Sequence, residues 1–548
     1  MTDIPTDLLY FGDNLTWLRN RDRFPDASVD LVYLDPPFNS NRSYNVLFKE
    51  SDVRESEAQM HAFEDTWTWS QDVQDVADEF WLTAPEKPQL MLKSMIAALG
   101  RNDVTAYLTM MAPRLVELHR VLKPTGSLYL HCDPTASHYL KMLMDSIFDP
   151  RNFRNEVVWQ RTTAKGLMTR QLPNNHDVIL SYQRSAMATW NQEAVFTPYD
   201  LGALPEKTAD KYRMREPDGR LYELKDITNP NPNRPNLTYE FLGVTKVWRW
   251  TKDRMQAAYD AGLIVQSRPG AIPRVKRYLD QQRGKPLSDV WTDIPPINSQ
   301  AKERLGYPTQ KPLALLERII EQSSNVGDIV LDPFCGCGTA VHAAQKLDRR
   351  WIGIDITPLA TNLIRTRLEQ AFAGLKVSIE GWPSDMAGAV ALAAQEDKYH
   401  FQDWAVIQCG ARPAGGERKK GADRGVDGVI PFLDGRTPKR GIVSVKAGAT
   451  GPAHVRELGG VVSRDEDAAF GVFICLNDPT QPMIEEALNQ GTWISEFDGK
   501  TYPKMQILSS QDLINHKPVR MPPSRTAVFA QASRERIREG QQGKLSQS

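Results

Sequence analysis

Apolar strand patterns alternate with amphipathic helix patterns in two stretches of this chain, before residue 186 and again after residue 311. The strand patterns cover residues 29–35, 126–133, 176–184, 328–334 and 350–356. The helix patterns, with apolar residues three or four positions apart, cover residues 107–123, 137–148, 312–324, 339–347 and 358–372. Such alternation predicts an α/β fold with a largely parallel sheet covered by helices.

Three segments depart from this alternation. We expect an irregular insertion over residues 49–105, and the alternation lapses again between residues 186 and 300. Residues 398–515 carry strand patterns of their own, which indicates a further α/β domain. The last residues are polar and lack apolar periodicity, so we expect a disordered tail over 521–548.

The length and composition of the chain are typical of a globular protein. With 548 residues, 41% hydrophobic and 25% charged, the chain can form two or more ordinary globular domains. We expect a cytoplasmic protein, because the sequence shows no membrane span or signal peptide and its five cysteines form no spaced framework. Cys335 and Cys337 lack the spacing of a zinc site, so we expect no structural metal.

The run "LVYLDPPF" ends an apolar strand with an acid, two prolines and an aromatic residue. Asp35 stands where the strand must stop, and Pro36 and Pro37 stiffen the chain and present carbonyl oxygens. Phe38 adds a flat apolar face beside them. Open α/β sheets bind ligands at the carboxyl ends of their strands, so this corner is a candidate active site. A rigid turn without function explains the tetrapeptide equally well.

A second corner lies in "VLDPFCGCGTA", a predicted strand followed by a glycine-bearing loop and a helix. Gly336 and Gly338 let the backbone approach a ligand closely, and Thr339 is placed to cap the helix. The next predicted strand ends at Asp355, where an acid hydrogen-bonds the ribose hydroxyls of a nucleoside. The loop lacks a pyrophosphate cradle, which favours a smaller nucleoside ligand such as S-adenosylmethionine.

The segment "YPTQKP" precedes the helix pattern that begins at residue 312. Its lysine, Lys311, can neutralise the carboxylate of an amino acid. An ordinary surface lysine is the alternative.

Basic residues are concentrated between residues 246 and 285. Ten lysines and arginines stand there against three aspartates, a local charge of +7 in a chain whose formal net charge is −1. Two tryptophans in "KVWRW" accompany these charges, a combination typical of nucleic-acid contacts. A solvated helical face is an equal alternative.

Taken in order, "YLDPPF", "YPTQKP" and "LDPFCGCGTA" resemble the β class of DNA amino-methyltransferases. The resemblance covers residues 1 to about 375 and implies a Rossmann-like, S-adenosylmethionine-dependent methyltransferase fold with circularly permuted motif order. It implies a catalytic half over 1–185, a target-recognition region over 186–300 and a cofactor-binding half over 301–385. The implied partner is double-stranded DNA, from which the target base is flipped out.

The motifs also assign candidate residues. The resemblance implies catalytic roles for Asp35, Pro36, Pro37 and Phe38. It implies cofactor contacts for Asp13 (in "GDNL"), Asp35, Thr309, Gln310, Lys311, Asp332, Phe334, Cys335, Gly336, Gly338, Thr339 and Asp355. The basic segment predicts DNA contacts for Trp248, Arg249, Trp250, Lys252, Arg274, Lys276 and Arg277.

An aspartate at the first position of this motif usually accompanies adenine-N6 transfer, whereas serine is usual in cytosine-N4 enzymes. We therefore expect an adenine-specific enzyme, with cytosine-N4 transfer as the alternative. No cysteine follows a proline, in agreement with direct displacement rather than a covalent thiolate intermediate. A DNA-binding protein that keeps this fold without catalysis, and methylation of RNA or protein, are the rival functions.

Residues 386–520 resemble the Mrr-like branch of the restriction-endonuclease fold, with Asp427 and Lys446 at positions of its catalytic motif. Ser444 stands where that family has Glu or Gln, and Gln402 where a helical Glu is frequent. We expect a non-cleaving module that binds DNA or a partner, and Mg²⁺ enters only if the module cleaves. An active nuclease, giving a fused restriction–modification protein, and a structural appendage are the alternatives. A homodimer is compatible with the sequence.

Overall fold

A computed structural model describes residues 4–37, 43–47, 59–64, 68–163, 172–298, 301, 303–304, 310–395, 398–414 and 425–523. Three sequence predictions lie outside these residues: the stacking role of Phe38, the cofactor contact of Thr309 and the disorder of most of the tail. None of the helices within the described residues is long and apolar enough to cross a membrane.

The described residues up to 191 form the first strands of a large β-sheet and the helices that pack on it. Its elements are β1 (Leu8–Phe11), α1 (Asn14–Arg19), β2 (Val29–Leu34), β3 (Ser43–Leu47), β4 (Gln59–Glu64), α2 (Gln71–Thr83), α3 (Glu86–Leu99), α4 (Asp103–Val121), β5 (Leu122–Cys132), α5 (Pro134–Phe148), β6 (Phe153–Gln160) and β7 (His176–Gln183). The expectation that residues 49–105 are irregular is wrong for their described part, because two well-formed helices, α2 and α3, lie within it. That the segment is an insertion stays a prediction.

Residues 192–288 form a separate compact unit. Its elements are β8 (Phe196–Thr197), α6 (Glu206–Lys211), β9 (Met214–Arg215), β10 (Leu221–Asp226), β11 (Thr238–Phe241), β12 (Val244–Val247), α7 (Lys252–Asp260), β13 (Ile264–Val265), β14 (Arg274–Tyr278) and β15 (Lys285–Pro286). These strands pair antiparallel in small sheets, which is why the strand–helix alternation lapses in this part of the sequence.

The rest of the chain completes the large sheet and adds a second one. Its elements are β16 (Val290–Trp291), α8 (Leu313–Ser323), β17 (Ile329–Asp332), α9 (Thr339–Lys346), β18 (Arg350–Asp355), α10 (Pro358–Ala371), β19 (Ser378–Glu380), α11 (Met386–Ala393), α12 (Lys398–Gln408), β20 (Arg412–Pro413), β21 (Gly428–Asp434), β22 (Thr437–Lys446), α13 (Pro452–Arg464), β23 (Ala468–Cys475), α14 (Gln481–Asn489), β24 (Thr492–Ile494), β25 (Thr501–Pro503), β26 (Met505–Ser509) and α15 (Ser510–Ile514).

The large sheet has nine described strands in the order β16-β6-β7-β5-β2-β17-β18-β1-β19. Among these strands only β7 runs antiparallel to its neighbours, so the predicted α/β fold with a largely parallel sheet is confirmed. Strands β2 and β17 lie side by side, with Leu31 opposite Val330 and Val32 opposite Leu331. The early and late stretches of the sequence therefore share one sheet.

Side chains that alternate along β2 bury both faces of this sheet. Val32 and Leu34 pack in a core with helices α3, α4 and α5. Leu31 and Tyr33 face the opposite side and pack with α8, α9 and α10. Burial on both faces explains why the strand patterns read as continuous apolar runs.

The second sheet has five described strands in the order β20-β21-β22-β23-β26. One of its faces packs on α12 and the other on α13 and α14. Phe11, the last residue of β1, is buried in the same cluster as Leu392 of α11 and Phe401 of α12. The large sheet and the C-terminal domain thus share part of a core.

Candidate functional site

A pocket of about 270 Å³ opens where four neighbouring strands of the large sheet end. Strands β1, β2, β17 and β18 are parallel, so their carboxyl ends meet at one edge. Of the residues predicted from sequence, the pocket is lined by Asp13, Asp35, Pro36, Pro37, Lys311, Asp332, Phe334, Cys335, Gly336, Thr339 and Asp355. The structure therefore brings the two predicted corners together in one cavity.

Asp35 and Lys311 form the central ion pair of this pocket. Asp35 follows β2, Lys311 precedes α8, and the Nζ of Lys311 contacts Oδ2 of Asp35. The two side chains are only 17% and 11% exposed. Sequence reasoning predicted both residues but not their contact. The neighbouring Gln310 is not among the residues that line the pocket, and its amide donates a hydrogen bond to the carbonyl of Glu303 at 2.6 Å.

The glycine-bearing loop between β17 and α9 forms another wall. Gly336 (φ 52°) and Gly338 (φ 76°) are in the left-handed region, where residues with a side chain are strained. A Cβ at Gly338 would also lie 2.8 Å from two side-chain carbons of Ile364. The prediction that Thr339 caps α9 is wrong, because Gly338 is the N-cap and Thr339 is the first helical residue. Gly338 packs behind the pocket instead of lining it.

Asp355 connects this loop to the end of β18. Its carboxylate accepts hydrogen bonds from the amide of Gly336 at 2.8 Å and from the amide and hydroxyl of Thr357 at 2.9 and 3.0 Å. Burial raises the pKa of Asp355 to about 6, although these hydrogen bonds oppose the shift. Burial also raises the pKa of Asp332 well above its ordinary value, and the charges of Asp35 and Asp355 add to this effect.

Asp13 is held by a network that sequence reasoning missed. One oxygen of Asp13 accepts from the amides of Leu15 and Thr16 and so caps α1. The other oxygen lies 2.5 Å from the guanidinium of Arg114, which also donates to the side chain of Asn14 at 2.7 Å. The available signal was the position of Arg114 on the apolar face of a predicted helix, where a charge requires a partner.

The amide of Asn14 in turn donates to the carbonyl of Pro333 at 2.7 Å. Asn14 therefore joins the start of α1 to the loop that follows β17. Asn14, Arg114, Met110 and Met111 all line the pocket.

Three buried polar side chains, connected by hydrogen bonds, extend from the pocket into the protein interior. The hydroxyl of Tyr33, which lines the pocket, is 3.0 Å from Nδ1 of His131, and Nε2 of His131 is 3.1 Å from Asp177. Tyr33, His131 and Asp177 are at most 3% exposed. They lie on β2, β5 and β7, so no local motif in the sequence could reveal them.

The predicted DNA contacts divide into buried and exposed residues. Trp248 is fully buried, and its indole N–H donates to the carbonyl of Tyr239 at 2.9 Å. The prediction that Trp248 contacts DNA is therefore corrected: this residue belongs to the core of residues 192–288. Trp250 is half-buried, whereas Arg249 between the two tryptophans is exposed.

The remaining predicted contacts are at least partly accessible. Arg249, Lys252, Arg274 and Arg277 are exposed, and Trp250 is half-buried with Arg254 over its ring. Lys276 is half-buried and pairs with Glu216 at 2.6 Å, so its charge is already compensated.

In the C-terminal domain, Asp427 and Ser444 are hydrogen-bonded. The hydroxyl of Ser444 lies 3.2 Å from Oδ2 of Asp427, which also accepts from the amide of Val445 at 2.6 Å. Ser444 is buried near the end of β22, and half-buried Lys446 is the last residue of that strand. Within the described residues no group of three or more His, Cys, Asp or Glu side chains is arranged to hold a metal ion.

Comparison with known families now decides the classification. Residues 29–365, more than half of the chain, match the N6/N4 family model described as DNA methylase. The chain belongs to the N6/N4 DNA methylase family. Residues 405–505 match a second model, the Mrr catalytic domain described as restriction endonuclease. Both suspected resemblances, to DNA amino-methyltransferases and to an Mrr-like domain, are confirmed.

The relatives that align with this chain over more than 350 residues have low sequence identity to it. The type II methyltransferase M.EcaI of Enterobacter cloacae is 26% identical over 368 residues, which cover 66% of this chain and 69% of that protein. The Mod subunit of the type III restriction-modification enzyme StyLTI of Salmonella typhimurium is 25% identical over 354 residues, 62% of this chain and half of that subunit. Among solved structures, the cytosine-N4-specific PvuII DNA methyltransferase is 14% identical and covers 66% of this chain and 86% of its own, with a TM-score of 0.29.

Replacing Arg114 by methionine should destabilise the methylase domain. The substitution leaves the buried side-chain oxygen of Asn14 without its donor and Asp13 without its cationic partner, so we expect a loss of about 1–3 kcal/mol in the free energy of unfolding. Urea denaturation measures the loss. Arg151→Met is the matched control, because Arg151 makes a similar pair with Asp149 on the surface. Equal midpoints for the two variants would contradict the assignment.

Proposed function

We propose that this DNA methylase transfers a methyl group from S-adenosylmethionine to the exocyclic N6 amine of adenine in duplex DNA. The observation that carries the proposal is the shared pocket. The Asp35 corner at the end of β2 lines the same cavity as Gly336 and Asp355, which follow β17 and end β18. The proposed acceptor for amine hydrogens and the proposed site for a nucleoside donor therefore share one cavity.

The residues of the pocket fit this donor. The carboxylate of Asp355 suits the two ribose hydroxyls, and the left-handed backbone at Gly336 lets a ligand approach without a Cβ in between. Asp13 lies where the adenine of the donor is expected, and Lys311 can pair with its amino-acid carboxylate. When bound, S-adenosylmethionine supplies an electrophilic methyl group on a positively charged sulfur.

The Asp35 corner orients the amine that receives the methyl group. The carboxylate of Asp35 accepts one amine hydrogen and the carbonyl of Pro36 the other, so the nitrogen lone pair points at the methyl carbon. Pro36 and Pro37 hold these acceptors rigidly, and such positioning accounts for much of the rate. Phe38 is proposed to stack on the flipped base. Because Lys311 contacts Asp35, it also holds that carboxylate in place until the ligands enter.

Adenine is proposed over cytosine because the motif begins with an aspartate. The alternative, cytosine-N4 transfer, uses the same direct displacement on a similar amine. Base analysis of the methylated DNA distinguishes N6-methyladenine from N4-methylcytosine.

We assign DNA recognition to residues 186–300. Arg249, Lys252, Arg274 and Arg277 are exposed there and can contact phosphates, and Trp250 supplies a half-buried aromatic face. Lys276 contributes less, because Glu216 pairs with it.

For the C-terminal domain we propose binding without cleavage. Nuclease chemistry of this kind needs two or more carboxylates around Mg²⁺ and a lysine that positions the attacking water. Here a serine hydroxyl and a backbone amide occupy one oxygen of Asp427, and neither Ser444 nor Gln402 can supply the second carboxylate.

Asp35→Ala should abolish methyl transfer because it removes an acceptor for the amine hydrogens. Duplex DNA is incubated with radiolabelled S-adenosylmethionine, and the methylated base is identified by mass spectrometry. We expect N6-methyladenine from the wild type, none from Asp35→Ala, and wild-type activity from Asp22→Ala, which removes an exposed acid. Calorimetry should show that Asp35→Ala still binds the donor. Equal transfer by Asp35→Ala would refute the catalytic assignment, and an inactive wild type would favour the non-catalytic DNA-binding protein.

Binding of the donor should weaken below pH 6. Asp355 must be ionised to accept from ribose hydroxyls, and its pKa of about 6 means that acid protonates it in the free protein. We expect the dissociation constant to rise about tenfold per pH unit below about pH 6 and to be nearly constant from there to pH 7. Calorimetry between pH 5 and 7 tests this, with Asp355→Asn as the variant that should lose the dependence. The same slope in Asp355→Asn would assign the dependence to another group.

Supercoiled DNA without methyl marks should stay intact when the protein and Mg²⁺ are added. Among the described residues no second carboxylate joins Asp427 to form a metal site, which predicts poor Mg²⁺ binding there. Gel electrophoresis detects nicking, and Asp427→Ala is the control. Nicking by the wild type that Asp427→Ala abolishes would show an active nuclease and a fused restriction–modification protein.

A further inference from the structure

The Tyr33–His131–Asp177 chain has no part in the chemistry described so far. It begins at Tyr33, which lines the pocket, and it continues across the neighbouring strands β5 and β7 to Asp177. Burying a titratable side chain costs free energy unless the side chain is hydrogen-bonded. Packing alone does not explain three such side chains that are hydrogen-bonded to one another.

Methyl transfer to an amine creates a proton that must leave. As the C–N bond forms, the amine nitrogen becomes positively charged, and one of its N–H bonds must break to give the neutral methylamine. Tyr33 and Asp35 both line the pocket, and the charge of Asp35 acts on the Tyr33 hydroxyl. The Tyr33 hydroxyl therefore lies near the corner that receives the amine.

The charges around His131 set the direction of its hydrogen bonds. Burial tends to raise the pKa of Asp177, but the hydrogen bond and the charge of His131, followed by the charges of Lys311 and Arg161, outweigh it and lower that pKa. An ionised Asp177 accepts from Nε2–H of His131, which leaves Nδ1 as an acceptor for the Tyr33 hydroxyl. Burial, with the charge of Asp35 adding to it, raises the pKa of Tyr33 well above its ordinary value, so the hydroxyl is intact.

We propose that Tyr33, His131 and Asp177 form a proton-transfer chain that removes the proton released when the amine is methylated. This inference rests on the proposed function. Before transfer the two amine hydrogens point at Asp35 and at the Pro36 carbonyl. Once the C–N bond has formed, the N–H bond that pointed at the Pro36 carbonyl breaks as its proton moves to the oxygen of Tyr33. The Tyr33 O–H bond breaks as its own proton moves to Nδ1 of His131. The resulting imidazolium is paired with the carboxylate of Asp177. After the products leave, the proton returns through Tyr33 to water in the pocket. The arrangement follows the logic of a nucleophile–histidine–acid triad, with a tyrosine at its open end.

The kinetic test compares two buried tyrosines on neighbouring strands. Tyr129 of β5 is paired in register with Tyr33, is equally buried, and lies 2.6 Å from the hydroxyl of Ser323, but it does not line the pocket. Tyr33→Phe and Tyr129→Phe each remove one buried hydroxyl. In single-turnover assays with saturating DNA and S-adenosylmethionine, we expect Tyr33→Phe to slow transfer about 10²-fold and Tyr129→Phe to change it less than about twofold.

Two further readouts separate proton transfer from a structural effect. The solvent deuterium isotope effect on the transfer step should change in Tyr33→Phe, and the affinity for S-adenosylmethionine should not. Nitrogen-15 NMR of histidine-labelled protein without ligands should show Nε2–H and an unprotonated, hydrogen-bonded Nδ1 for His131, assigned with His131→Gln. In Tyr33→Phe the Nδ1 signal should shift as its hydrogen bond is lost.

Three results would overturn the proposal: equal rates for Tyr33→Phe and Tyr129→Phe, a Tyr33→Phe defect explained by lost donor binding, or an Nδ1–H form of His131. Failure of the underlying function looks different, because the wild type itself would then transfer no methyl group. Activity of the wild type with an unaffected Tyr33→Phe variant rejects the proton chain alone.

Discussion

The parallel pairing of β2 with β17 is the constraint on which the rest of this structure depends. Leu31 lies opposite Val330 and Val32 opposite Leu331, so two strands that are far apart in the sequence lie next to each other in the sheet. Since both strands run in the same direction, the residues after them reach the same edge. Helices on each face bury the alternating side chains of β2 and fix this register.

That edge concentrates acidic groups in a small space. Asp35, Asp332 and Asp355 all line the pocket, and Lys311 is the cation in contact with Asp35. Burial raises the pKa of Asp332 and of Asp355, and repulsion from Asp35 and Asp355 adds to the shift of Asp332, so negative charge is unfavourable in the free protein. A ligand that brings a positive charge relieves this repulsion. The sulfonium of S-adenosylmethionine is such a ligand, and the neutral sulfide left after transfer is not.

Sequence reasoning identified residues that line the pocket where they stand in short runs. Asp35 with its prolines, the glycines near Gly336, and Asp355 at a strand end each follow from local rules about turns and strands. Arg114 and His131 could not be found in this way, because their partners lie on other elements and only the folded sheet brings them together. Trp248 was misassigned for a related reason. Its neighbours in the sequence are charged, but its side chain packs in a core formed by residues from other elements, such as Ile227 and Met255.

The fold, too, could be predicted only where the sequence pattern is local and regular. Alternating strand and helix patterns identified the large sheet, because burial on both faces makes its strands continuously apolar. Helices α2 and α3 escaped notice, since their exposed faces mix charged residues with exposed apolar ones such as Leu82 and Leu90. The antiparallel strands of residues 192–288 are short and half-exposed, so they leave little periodic signal.

Phe11 links the methylase domain to the C-terminal domain. Its side chain completes the interior of the C-terminal domain, while the next two residues, Gly12 and Asp13, already border the pocket. A recombination event that exchanged the C-terminal domain for another would expose Phe11 at the end of β1, the neighbour of the edge strand β19. The two domains are therefore not independent units joined by a linker. Each contributes side chains to a core that stabilises the other, and this dependence favours their inheritance as one gene product.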